Sequence, residues 1–185
     1  MSGHNKWTQI KRQKGSEDQK RSKLFGVLAR LISLEAKKAG GDRSAPGLRQ
    51  AIEKARKANL PSDNIERAIK NALGGGAATY EEVLYECYGP GGAALILEGI
   101  TDNKNRTSQE IKHLLDQHGA ALAGAGAALW AFSKAPRADS GQVGTWQAVT
   151  PLELGETDTQ TLANLVDALE AHPDIKNIAT NVAGF

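Results

Sequence analysis

Apolar residues first recur with a helical period at Leu24, Val27, Leu28, Leu31 and Leu34, and Gly40-Gly41 close that run. A second helix is expected from about Pro46, with Leu48, Ala51, Ile52, Ala55 and Ala58 on one face. At 100° per residue, Arg49, Lys54, Arg56 and Lys57 fall on its opposite side. A third is expected after Pro61, opened by a capping box of Asp63 and Glu66 and burying Ile65, Ala68, Ile69, Ala72 and Leu73. Three amphipathic helices with short connections imply a small bundle whose core, rich in alanine, is thin.

"GGGAAT", residues 74 to 79, interrupts the chain, and the period changes beyond it. Val83, Tyr85 and Cys87 alternate with Leu84, Glu86 and Tyr88, and "GPGG" leads into "AALILEGI", which together predict a β-hairpin. Thr107 and Glu110 have capping-box spacing before a helix that carries Ile111, Leu114 and Leu115 and ends at Gly119. "AALWAF" and "TWQAV" read as two further strands. Thr157 and Gln160 are expected to cap a last helix with Leu162, Leu165, Val166 and Leu169, and "IKNIATNV" reads as a closing strand. The expectation is an α+β protein: a helical domain over 1–75, then an antiparallel-sheet α+β sandwich over 76–185 with helices on one face.

Charge divides at the same place. Residues 1–73 hold 17 Lys and Arg against 7 Asp and Glu, whereas the rest holds 6 against 14. The overall net of +2 hides this segregation, which points to a polyanion-binding part joined to a part with another task. A solvated helical surface that happens to be basic is the plainer alternative. With 40% hydrophobic and 24% charged residues the chain reads as globular. Its one cysteine, Cys87, rules out an internal disulfide framework and any multi-cysteine metal site, as in a reducing cytosol. No apolar run has the roughly 18 residues of a membrane helix, and the basic N-terminus has no signal core, so a cytoplasmic location is expected.

Catalytic patterns are missing from the sequence. Neither a Walker loop nor a G-x-S-x-G or H-E-x-x-H motif occurs, so a non-enzymatic role without cofactor is expected. Glu110 and His113 have a helical i, i+3 spacing, but a carboxylate-bridged metal site needs a second such pair; no metal is expected. Within "NKWTQIKRQKGSEDQKRSK", residues 5 to 23, seven cations face only Glu17 and Asp18. Lys6, Lys11, Arg12, Lys14, Lys20, Arg21 and Lys23 are candidates for holding phosphates. Trp7 could stack on an exposed base or staple the N-terminal segment to the bundle, and both readings stay open. "TDNKNRT", residues 101 to 107, is either a strand-to-helix loop held by Asn and Asp turn bonds or a phosphate contact through Asn103 and Arg106.

Four stretches resemble one family. "GHNKWTQIKRQK", "DQKRSKLF", "KANLPSDNIERAIK" and "YEEVLYECYGPGGAALILEGITDNKNRT" are similar, in order, to the YebC family, which includes the mitochondrial translational activator of cytochrome c oxidase. "LVDALEAHPDIKNIATNV" resembles that family's closing segment. The resemblance implies a basic helical domain followed by α+β domains, and a role on nucleic acid. Two roles are implied: a ribosome-associated factor that helps elongation through consecutive prolines, or a DNA-binding transcription regulator of the YebC/PmpR kind. Ribosomal RNA is the favoured expectation, because no recognition helix with a dimerisation element is evident and aromatics are only 5%. Ribosome and nucleic acid are the expected partners, and the sequence leaves the oligomeric state open. Where members insert a further small domain, only "SKAPRADSGQVGT", residues 133–145, is found, so a shortened form is expected.

Overall fold

A computed structural model describes residues 3–74, 78–134 and 146–185, with side chains from residue 17 onward. The chain divides into two compact units, Met1–Ala77 and Ala78–Phe185.

The first unit is three helices: α1 (Gly3–Lys38), α2 (Pro46–Lys57) and α3 (Ser62–Leu73). α1 starts much earlier than the apolar period alone indicates. Lys, Arg, Gln and Glu lose little side-chain freedom in a helix, and no proline interrupts the segment, so the helix runs back through the basic stretch. Residues 17–22 are exposed, and the first buried residue of α1 among the described side chains is Val27. α1 ends in a Schellman motif: Gly40 N–H donates to the Lys37 carbonyl and Gly41 N–H to that of Ala36, both glycines being left-handed. α2 ends the same way, with Asn59 at φ 60° in the left-handed position, a conformation asparagine tolerates. The expected capping box of α3 is not formed. Pro61 is the N-cap, its carbonyl accepting from Ile65, while Glu66 turns away to pair with Arg43. Leu28, Ile32, Leu48, Leu60, Ile65 and five alanines make the thin core, and Ser33 donates to the Ala68 carbonyl across it.

The second unit is built on β1 (Glu81–Tyr88) and β2 (Ala94–Thr101), the expected hairpin, paired from Glu81↔Thr101 to Tyr88↔Ala94. Pro90–Gly92 makes the turn. α4 (Lys104–Gln117), β3 (Ala121–Leu122), β4 (Phe132–Lys134), β5 (Trp146–Ala148), α5 (Glu156–Ala171) and β6 (Ile175–Thr180) follow. The sheet order is β3-β1-β2-β6, and its ladders are antiparallel. The mixed α+β architecture therefore agrees with the sequence expectation. Its strand membership differs. "AALWAF" begins as a 3-10 turn and only Phe132–Lys134 is strand, paired with Trp146–Ala148 in a separate two-stranded ribbon. The fourth strand of the main sheet is the two-residue β3, too short to show a period.

Ile111 and Leu115 of α4 and Leu162, Leu165 and Leu169 of α5 pack on Cys87, Leu95 and Leu97. Across the sheet, Ala94 and Ile96 meet Ala128, Ala131 and Phe132. Glu86 ties down the loop on that side: its carboxylate accepts from the amides of Gly126, Ala128 and Leu129 at 2.6, 2.7 and 3.1 Å. Three donors satisfy a buried charge, so the loop is fixed by hydrogen bonds where alanine and glycine offer little to pack. The last helix lacks the expected cap; it starts at Glu156 after Gly155, and the Thr157 carbonyl accepts from Thr161.

Candidate nucleic-acid interface

Two groups of sequence candidates lie in different surroundings. On the first unit, Lys20 and Arg21 are exposed, while Lys23 is half-buried and has a partner. Lys6, Trp7, Lys11, Arg12 and Lys14 lie on the helical backbone of α1, their side chains outside the described residues. A further cationic surface was underweighted by sequence reasoning. α2 exposes Arg49, Lys54, Arg56 and Lys57, and α3 exposes Arg67 and Lys70. The signal was present in the apolar period of α2, which sets those cations opposite the core. Arg43 is committed elsewhere: its guanidinium makes a two-pronged pair with Glu66, NH1 to Oε1 at 2.9 Å, and that hydrogen bonding holds the Glu66 carboxyl below its usual range.

The signature around residue 101 is a knot of internal bonds. Gly99 makes it possible: a Cβ there would lie 2.6 Å from the Asp174 carbonyl, which accepts from Ile100 N–H at 2.9 Å. That approach brings Asp174, only 2% exposed in its side chain, to the end of β2. Arg106 NH2 donates to Asp174 Oδ2 at 2.6 Å and Thr107 Oγ1 donates to the same oxygen at 2.7 Å. The bond to Asp174 is the main reason that the Arg106 pKa is raised. Arg106 also reaches Asp102 at 3.0 Å and Glu110 at 3.7 Å. Asn103 is the N-cap of α4, its Oδ1 accepting from Arg106 N–H at 3.1 Å. The cap is therefore at Asn103, not the Thr107–Glu110 box expected: Thr107 is already inside the first turn and buried.

Glu110 faces His172 rather than His113. Asp174 N–H donates to His172 Nδ1 at 3.2 Å, so the proton sits on Nε2, 3.0 Å from Glu110 Oε2. Ligand atoms of Glu110, His172 and Asp174 lie within 4.8 Å of one another, close enough to suggest a cation site. Arg106 already supplies positive charge to both carboxylates, and the imidazole turns an N–H instead of a lone pair toward Glu110. The cluster is chemically a clasp between the start of α4 and the α5–β6 turn. Asn103 Oδ1 and the Arg106 guanidinium are thus engaged within the molecule, while both residues stay exposed.

Comparison with known proteins places these features. The profile of the TACO1/YebC protein N-terminal domain matches residues 5–75, and that of the TACO1/YebC second and third domain matches residues 80–142. The chain belongs to the TACO1/YebC family. It is 52% identical over 137 residues to a protein of Syntrophus aciditrophicus named "Probable transcriptional regulatory protein", with 72% of this chain and 55% of that one aligned. A protein of the same name from Pseudothermotoga lettingae is 50% identical, over 72% and 54% of the two chains. The chain thus spans about half the length of the curated relatives it matches. The fold is also similar to the crystal structure of a conserved hypothetical protein from Aquifex aeolicus, with TM-score 0.78 and 28% identity over 88% of this chain and 90% of that one. The relatives carry the regulator's name, not the translational one favoured from sequence. No helix among the described residues is long and apolar enough to cross a membrane.

Proposed function

We propose that this protein is a non-enzymatic, nucleic-acid-binding transcriptional regulator whose helical unit holds phosphate backbones. The observation that carries the reading is the segregation of charge, 17 cations against 7 acids in residues 1–73, on helices that expose Lys20, Arg21, Arg49, Lys54, Arg56, Lys57, Arg67 and Lys70. Lysine and arginine on such a face displace condensed counterions, which supplies affinity without reading sequence. The names of the relatives support duplex DNA as the target ahead of ribosomal RNA. The acidic unit repels phosphate and suits a protein contact or the orienting of its neighbour.

The test is competition binding of the full chain to random duplex DNA, to promoter duplexes and to purified ribosomes. Duplex binding that loses about 10³-fold or more between about 50 and 200 mM salt supports the proposal. Ribosome association with no measurable binding to any duplex contradicts it and restores the translational reading.

A further inference from the structure

The exposed cations of α2 are surplus to the fold. Leu48, Ala51, Ile52 and Ala55 fill the buried side of that helix, and Arg49, Lys54, Arg56 and Lys57 stand on the other, with Glu53 the only acid among them. Arg49 and Arg56 are seven residues apart, about 10 Å along the axis, and Lys54 and Lys57 lie one turn apart. Like charges at such spacing weaken an isolated helix slightly. Cations in the last turn do favour the helix dipole, which accounts for part of the placement but not for Arg49 in the first turn. α3 adds Arg67 and Lys70 to the exposed surface of the same unit.

Stacking groups are absent from this surface. Neither α2 nor α3 contains an aromatic residue, and Phe25, the only aromatic between residues 8 and 79, is half-buried against the core. A surface for single strands combines cations with aromatic platforms, whereas one for a duplex needs charge alone.

We infer that the outer face of α2 is a second phosphate-holding surface, distinct from the basic segment of α1, and that its ligand is the backbone of a double-stranded nucleic acid. This deepens the proposed function and rests on it. The four α2 cations act as point charges, so affinity depends on their number and not on whether each is lysine or arginine.

The experiment uses the full chain and three probes: random duplex DNA, the same sequence as duplex RNA, and an oligo-dT single strand. Replacing Arg49, Lys54, Arg56 and Lys57 together by Gln should weaken duplex binding at least about tenfold and flatten the log affinity–log salt slope by about 3 to 4. The charge-keeping set Arg49→Lys, Lys54→Arg, Arg56→Lys and Lys57→Arg should retain the wild-type slope. Circular dichroism confirms folding of both. A neutral variant that keeps the full slope while wild type binds well overturns this inference and leaves the proposed function standing. Oligo-dT bound as tightly as either duplex overturns the choice of a double strand. Wild type that binds none of the probes overturns both readings.

Discussion

The two units solve opposite problems. The helical unit closes a thin core around Ala36, Ala51, Ala55, Ala68 and Ala72 and exposes cations, of which Arg49, Lys54 and Lys57 on α2 make no ion pair among the described residues. The sheet unit fills its helix-covered side with Leu95, Leu97, Ile111, Leu115 and Leu162, all fully buried, and pairs Glu86, Arg106 and Asp174 internally. Charge without a partner is available to a ligand; charge already paired serves the fold. That difference, more than the number of cations, separates Lys54 from Arg106.

The sharpest way to separate the units is to damage one and read the other. Leu97→Ala should cost about 2–5 kcal/mol of stability in urea, since Leu97 is fully buried and its truncation leaves a cavity. Its duplex affinity under native conditions should stay within about twofold of wild type. Next in size is Glu86→Ala, expected to cost about 2–4 kcal/mol because the amides of Gly126, Ala128 and Leu129 lose their acceptor. Burial pushes the Glu86 carboxyl up, but those three donors outweigh it and hold it below the usual 4.5. Its contribution is therefore complete above about pH 4.5 and lost as the pH falls through the lowered value. Thermal melts should accordingly show a shallower acid limb in Glu86→Ala.

Arg106→Gln is a smaller change that bears more directly on the comparison. With the guanidinium 43% exposed, its loss should cost about 1–2 kcal/mol, less than breaking a fully buried pair. Duplex affinity and its salt slope should not move. The smallest expected signal is at Cys87. Burial pushes its thiol up to about 12, so the native protein should be inert to a thiol reagent at about pH 8 and react only when unfolded.

Sequence reasoning read the hairpin, the apolar faces of the five helices apart from the exposed Leu24 and Leu73, and the α+β class, because burial imposes a period on Leu97, Ile111 and Leu165 that water cannot. The caps were misread. Asp63–Glu66, Thr107–Glu110 and Thr157–Gln160 have the right spacing, but Glu66 found Arg43, Thr107 found Asp174 and Gln160 found Asn164. Local spacing cannot show competition from residues brought near by the fold. The same holds for the clasp: Asp174 lies 68 positions from Arg106, and only the absence of a Cβ at Gly99 lets the two meet. The cations of α2 were legible as a face, yet the denser N-terminal run drew the site assignment away from them.

Salt dependence of duplex binding by the full chain, measured for two charge-removal sets, tests the division of labour most directly. One set replaces Lys11, Arg12 and Lys14 by Ala in the helical unit; the other replaces Lys104, Arg106 and Lys112 by Gln in the sheet unit. The wild-type slope should flatten by about 3 in the first set and stay unchanged in the second. Equal flattening in both sets, or none in the first, would contradict the account.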